Sequence, residues 1–340
     1  MWPVIGHEHA VMRLRRGIAT GHTSHAYLFT GPAQIGKTTL ALAFAQALNC
    51  TAIPPPEQAS LFNLGAQDRE PDTPCGTCTA CRKISSGVHP DVRVIEPADG
   101  TLKIEQIRTL QRELALSPYE GRYRVVILRQ METATAEAAN CLLKTLEEPP
   151  SRVVLILTAA EPELILPTIV SRCQQVGLRP LSTAEVTQAL ETKWGVEAGQ
   201  AGLLARLSGG RPGWAVAAAQ DQAVLIRRRE QLERLQALTS ASRVDRLAQA
   251  EQLSRKDHLI QETLHLWLGW WRDVLLLKAG TDRAIINLDQ ATQLRTAANR
   301  YSMGQIVETI QLIRTISERL EQNVNKRLAL EVLMLRLPSP

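Results

Sequence analysis

Apolar residues in the first half of the chain fall into short runs separated by amphipathic stretches. His25-Ala26-Tyr27-Leu28-Phe29, Tyr123–Leu128 (YRVVIL) and Val153–Thr158 (VVLILT) are brief, largely β-branched or aromatic runs, the pattern of strands buried on both faces of a parallel sheet. Between them, Thr38–Leu48 and Thr133–Leu146 carry helical spacing, and Pro149-Pro150 stops the second. Strands alternating with helices predict a parallel α/β sheet. Residues 50–100 break the alternation, being rich in Pro, Cys and polar residues, including Pro54-Pro55-Pro56. They read as an insertion, with its core at about 50–90. From Leu181 onward the strand signals fade. A short helical bundle around 181–220, containing the breaker Gly209-Gly210-Arg211-Pro212-Gly213, precedes long helical patterns over Leu225–Ala237, His258–Leu277 and Gly304–Leu335.

Composition narrows the class. The 340 residues are 44% hydrophobic, enough for buried cores and too much for a disordered chain. Thirty-nine Lys and Arg against 34 Asp and Glu leave +5, which permits contact with nucleic acid without requiring it. Aromatics at 4% argue against base stacking as the main mode of binding. No apolar stretch approaches the ~18 residues of a membrane span. The opening MWPVIGHEHAVMRLRRG lacks an apolar core ahead of a small-residue cleavage site, so a soluble cytoplasmic protein is expected.

Two motifs carry chemistry. Gly31-Pro-Ala-Gln-Ile-Gly36-Lys37-Thr38 is a complete G-x-x-x-x-G-K-[ST] between a strand and a helix. Its glycines let backbone N–H groups curl round phosphate oxygens at the positive end of the helix. Lys37 is expected to reach the β- and γ-phosphates and the Thr38 hydroxyl to hold Mg²⁺, with Thr39 beside it. The candidate nucleotide-binding residues are thus Gly31, Gly36, Lys37, Thr38 and Thr39, for ATP with Mg²⁺. The second motif is Cys75-x-x-Cys78-x-x-Cys81. Three thiols so spaced converge on one point, and a fourth ligand closes a tetrahedral structural Zn²⁺ site. Cys50 is the candidate fourth ligand and His89 the fallback. Cys141 and Cys173 read as packed thiols.

An expected partner of the phosphate loop is missing. A P-loop ATPase needs a carboxylate at the end of a second strand to hold Mg²⁺, usually followed by Glu. After Val125-Val126-Ile127-Leu128 stand Arg129-Gln130, neither of which can ligate Mg²⁺ or act as general base. Glu132 follows two to three positions late, which leaves its rescue of the site open. Hydrolysis at the chain's own loop is therefore doubtful. Ser171-Arg172-Cys173 offers a different cation. A lone Arg there is ordinarily a surface ion-pair partner. Beside a P-loop it also reads as a finger inserted into a neighbour's ATP site, a role worth ~10³–10⁵ in rate in well-studied cases.

Together these residues resemble the clamp-loader branch of the AAA+ ATPases in bacterial DNA polymerase III. The matching segments are HAYLFTGPAQIGKTTLA, CGTCTAC followed by GVHPD, ANCLLKTLEEPP and LPTIVSRCQQ, within residues 4–178. The resemblance implies a P-loop α/β AAA+ domain with helices on both faces of its parallel sheet over 1–178, carrying the zinc module. A helical lid domain over 179–240 and an all-α collar domain over 241–340 follow. It puts Thr158 on a strand-end position that senses phosphate, Arg172 on the trans-acting arginine finger, and Trp2–Gly6 beside the adenine. It implies a pentameric ring with the other clamp-loader subunits (delta, gamma/tau), a sliding clamp as partner, and primer–template DNA held by its backbone. Three departures point to a non-hydrolysing member rather than a gamma/tau-like motor: Arg129-Gln130, the absence of the lid's sensing Arg near Gly213 (with Arg211 close by), and a 340-residue chain without tau's long extension. Lys103, Arg108 and Arg227-Arg228-Arg229 are candidate phosphate contacts. The run at 227–229 reads as a solvated face, and Trp267, Trp270 and Trp271 as collar packing.

Overall fold

A computed structural model describes residues 2–53, 73–255, 257–282, 284–321 and 324–339. Pro54-Pro55-Pro56 lie outside the described residues. The chain divides into two compact units, Met1–Ala189 with Gly210–Trp214, and Leu190–Gly209 with Ala215–Pro340.

The N-terminal unit is the expected α/β fold. Its elements are α1 (Glu8–Ala19), β1 (Ala26–Thr30), α2 (Lys37–Asn49), α3 (Thr79–Ser85), β2 (Val92–Ile95), α4 (Ile104–Leu114), β3 (Arg124–Leu128), α5 (Ala136–Glu147), β4 (Val153–Ala159), α6 (Pro167–Val170) and β5 (Gln174–Gly177). The five strands are ordered β2-β3-β4-β1-β5, and every pairing is parallel. Alternation along the strands assigns them to two cores. Tyr27, Phe29, Val125, Ile127, Val154 and Ile156 pack with Leu40, Phe44 and Leu48 of α2 on one face. Leu28, Val126, Leu128, Leu155 and Leu157 pack with Ile107 and Leu110 of α4 and Leu142 of α5 on the other. Both faces are therefore covered by helices, which is why the central strands read as unbroken apolar runs.

The edge strands are different. β2 buries only its first and last residues, and β5 buries only Val176. Neither has the apolar density that marked the central three. The entrance to β2 is held by Asp91, 1% exposed, whose carboxylate accepts from the amides of Tyr119, Glu120 and Gly121 at 2.7–2.8 Å and from Arg124 Nη2 at 3.1 Å. Trp2 is buried and stacks on Phe44.

Elements of the second unit include α8 (Ala198–Leu207), α10 (Gln222–Ser240), α11 (Arg243–Ser254), α12 (Asp257–Lys278), α13 (Ala291–Arg300), α14 (Met303–Glu321) and α15 (Lys326–Arg336). (α7, Thr183–Trp194, and α9, Pro212–Gln220, each run across the division between the units.) The single helical pattern expected over 304–335 is two helices, and Asn325 caps the second by accepting from the Leu328 amide. Trp267, Trp270 and Trp271 lie in one core with Leu232, Leu264, Ile313 and Leu330. The basic run is not uniformly solvated. Arg227 and Arg229 are exposed, but Arg228 turns inward to Asp289 at 2.6 Å and to Asn287, because 100° per residue puts adjacent positions on different helix faces. Among the described residues no helix is long and apolar enough to cross a membrane.

Burial pushes the Asp91 carboxyl up, but the three amides and Arg124 outweigh it and hold it below its ordinary value. Its stabilisation is thus present above the unfolded-state value of about 4 and is lost as pH falls through the lower folded value. Asp91→Asn is expected to destabilise the N-terminal unit by about 3–5 kcal/mol at neutral pH in chemical denaturation. The deficit relative to the unaltered protein should shrink once the pH drops below about 4.

Candidate functional site

The phosphate-loop sequence lies where β1 meets α2. Gly31 adopts φ 143°, and a Cβ there would stand 2.4 Å from the carbonyl oxygen of Leu178, so only glycine fits. Its N–H donates to Ala160 O at 2.9 Å, which ties the loop to the end of β4. Gly36, at φ 109°, opens α2. Lys37 heads the helix and donates from Nζ to Pro32 O at 2.9 Å and to Gly31 O. Burial pushes the Lys37 ammonium down to about 8; Glu132 pulls it up and Arg129 pushes it further down. Thr38 and Thr39 follow in the first helical turn, Thr38 half-buried and Thr39 exposed. A glycine-only turn, the first amides of a helix and a half-buried cation fit a polyphosphate.

Gly213 lies against the same loop. Its N–H donates to Gln34 O at 2.9 Å, and a Cβ would meet that oxygen at 2.7 Å. No side chain can occupy this position without moving the loop, so residue 213 contributes no sensing arginine. The sequence showed the missing Arg but not the contact that excludes one.

The ends of β3 and β4 complete the surroundings. Arg129 pairs with Glu96. Gln130 is left-handed at φ 52° and ψ 55°, a conformation costing a non-glycine residue about 1–2 kcal/mol. Its amide donates to Thr158 Oγ1 at 3.2 Å. Thr158 itself is 2% exposed. The turn at Gln130 leads into a 3₁₀ helix over Met131–Thr133 that carries Glu132. Burial raises the Glu132 carboxyl against the pull of its own amide, of Lys37 and of the Ala160 amide. Its Oε2 is buried without a hydrogen-bond partner. Glu132 is thus a carboxylate within electrostatic reach of Lys37. A late position in sequence gives no hint of this, because it follows from the left-handed residue at 130 and the 3₁₀ turn after it.

Arg172 stands apart from these groups. It follows α6, donates from Nη1 to Thr168 O at 2.9 Å and pairs through Nη2 with Glu147 at 2.7 Å. More than a third of its side chain is exposed. Within this chain it is a surface ion-pair partner.

The four cysteines lie at the other end of α2. Cys50 terminates that helix and is fully buried, while Cys78 caps α3, its sulfur accepting from the Cys81 amide at 3.4 Å. The Cys75 sulfur accepts from the Cys78 amide at 3.2 Å, and Cys50 Sγ from the Cys75 amide at 3.4 Å. Gln46 of α2 braces α3 through Cys81 O and Ser85 Oγ. All four sulfurs lie within 4.8 Å of one another, and two of the separations are 4.0 Å. A tetrahedral ion with bonds of about 2.3 Å needs sulfur–sulfur edges of about 3.8 Å. The four thiols can therefore hold one metal ion, and 4.0 Å is far beyond a disulfide of about 2.05 Å. Burial raises the Cys50 and Cys81 thiols. Burial also acts against Cys75, but Thr77 and the Cys78 amide prevail and bring it down to about 6. His89 is not in the cluster: its Nδ1 accepts from the Asp91 amide at 3.1 Å and its Nε2 lies 3.6 Å from Glu120. Burial raises Cys173 to about 12, as expected of a packed thiol.

Comparison with known proteins bears on this arrangement. The sequence matches the family described as "DNA polymerase III, delta subunit" over residues 6–182, just over half of the chain. The chain belongs to this family. Its members' C-terminal region, described as "DNA polymerase III, delta subunit, C terminal", matches over 222–338. The delta' subunit of Bacillus subtilis DNA polymerase III is 28% identical over 95% of this chain and 94% of its own length. The tau subunit of Escherichia coli is 35% identical over 55% of this chain, which spans only 27% of that longer protein. Among solved structures, a gamma subunit-related protein of Thermotoga maritima superposes with a TM-score of 0.40 at 18% identity, over 96% of this chain and 97% of that one. Membership agrees with the resemblance read from the motifs.

The geometry separates the two candidate fourth ligands. Cys50→Ser is expected to lower bound metal well below one ion per chain by elemental analysis, whereas His89→Gln should leave it at one. The reverse result would exclude the four-cysteine site.

Proposed function

We propose that this delta-family subunit works in the DNA polymerase III clamp loader, helping to place the sliding clamp on primed DNA in the cytoplasm. In this reading it sits in a pentameric ring with delta and gamma/tau subunits and does not run the motor itself. The observation that carries the reading is a complete phosphate loop whose expected strand-end acidic pair is replaced by Arg129-Gln130, in a chain alignable along nearly its whole length with a delta' subunit. A loop so built binds ATP through Gly31, Gly36, Lys37, Thr38 and Thr39. Thr158 responds to phosphate through its contact with the Gln130 amide. The four cysteines hold structural Zn²⁺; with four ligands no position stays open for catalysis.

Arg172 acts in the neighbour's site. Release of its exposed pair with Glu147 costs little, since such pairs are worth about 0–1 kcal/mol. A guanidinium so freed neutralises charge developing on a γ-phosphate across the subunit boundary. Residues 1–178 form the nucleotide domain, 179–240 the lid and 241–340 the collar. Exposed Arg108, Arg227 and Arg229 suit contact with DNA phosphates, which carries no base readout and weakens steeply with salt.

A second reading, an ATP-hydrolysing gamma/tau-like motor, draws on Glu132, which lies within electrostatic reach of Lys37. Turnover by the purified chain decides between them. Negligible hydrolysis is expected, and rates comparable to a motor subunit would reverse the assignment. In the reconstituted complex with clamp and primed DNA, Arg172→Ala is expected to cut ATPase activity at least about tenfold while assembly persists on gel filtration. Unchanged activity would remove the finger role.

A further inference from the structure

The acidic position expected beside the phosphate loop is occupied by Arg129, yet a carboxylate reaches the loop by another route. After the left-handed turn at Gln130, the 3₁₀ helix packs against β4 and carries Glu132 to the carboxyl end of that strand. There it lies next to the Ala160 amide and within Coulomb range of Lys37. Ala160 is the residue whose carbonyl holds Gly31, so Glu132 and the loop share one anchor. Arg129 does not neutralise this carboxylate, since it is engaged with Glu96. Glu132 Oε2 is buried with no hydrogen-bond partner, and Lys37 Nζ is held by two loop carbonyls and makes no direct ion pair with it.

Such a carboxylate has a specific effect on a polyphosphate. Lys37 then turns to phosphate oxygens, and a half-buried carboxylate with one unsatisfied buried oxygen is left beside further negative charge. A divalent cation relieves that repulsion, and the free oxygen is an acceptor suited to a hard cation or to its water shell. We infer that Glu132 is the acidic group of this nucleotide site and makes nucleotide binding here depend on magnesium. The inference rests on reading Gly31–Thr38 as a nucleotide site. It concerns binding, and no hydrolytic step is assigned to Glu132.

The test is titration of the full-length chain with a fluorescent ATP analogue, in magnesium and in excess EDTA, for the unaltered protein, Glu132→Gln and Glu132→Ala. One charge pair at a partly buried site is worth about one pKa unit, or about tenfold in an equilibrium constant. Magnesium is therefore expected to tighten binding about tenfold or more in the unaltered protein. Both neutral variants should bind the metal-free analogue as well or better and lose most of that enhancement. Removing a buried charge does not leave a partner stranded in the apolar core, so both variants should melt no lower than the unaltered protein. If one fails to fold, the other carries the test. Equal enhancement in all three proteins overturns the inference while leaving the nucleotide site intact. No binding by the unaltered protein in either condition overturns the nucleotide reading and the inference together.

Discussion

Covering both faces of the five-stranded parallel sheet leaves only the strand ends free to meet a ligand, and the organisation of the N-terminal unit follows from that constraint. Alternate residues of β1, β3 and β4 enter two separate cores, so no polar side chain can be displayed from the middle of a central strand without being buried. Chemistry is therefore confined to the turns at the carboxyl ends, as in other open α/β sheets. Gly31, Arg129, Gln130 and Ala160 all lie in such turns. Gly31 is joined to Ala160 by a backbone hydrogen bond, and the Gln130 amide is held by the Thr158 hydroxyl.

Within that edge the charges are unevenly compensated. Two cations, Lys37 and Arg129, lie close enough for Arg129 to lower the Lys37 ammonium, and a single carboxylate opposes them at Lys37. The result is a cation held near neutrality's threshold by burial, leaning on loop carbonyls. The cysteine cluster presents the opposite problem. Four sulfurs collect where the surrounding amides of Cys75, Cys78 and Cys81 already point at them. Part of the negative charge a metal would demand is thus stabilised by the backbone before any ion arrives.

The central strands, the phosphate loop and the cysteine triplet were legible in the sequence because each rests on local pattern: apolar density, glycine spacing, or thiol spacing. β2 and β5 were not, since edge strands bury few side chains and Gln174-Gln175 carries no strand signal. Arg228 looked like its neighbours in the run and differs only through Asp289 and Asn287, some sixty positions away in the chain. Gly213 and Glu132 likewise depend on where the backbone travels. The first is fixed by the approach of Gln34 and the second by a left-handed residue that nothing in QMET announces.

The placement of α2 has a mechanical corollary. It begins with Lys37 and ends at Cys50, so one rod of 13 residues, about 20 Å long, has the phosphate cradle at its head and the thiol cluster at its foot. Its residues from Leu40 to Asn49 are buried along all but one position, so the helix is packed into the core between those ends. The thiol cluster and the glycine turn are thus the two ends of a single structural member.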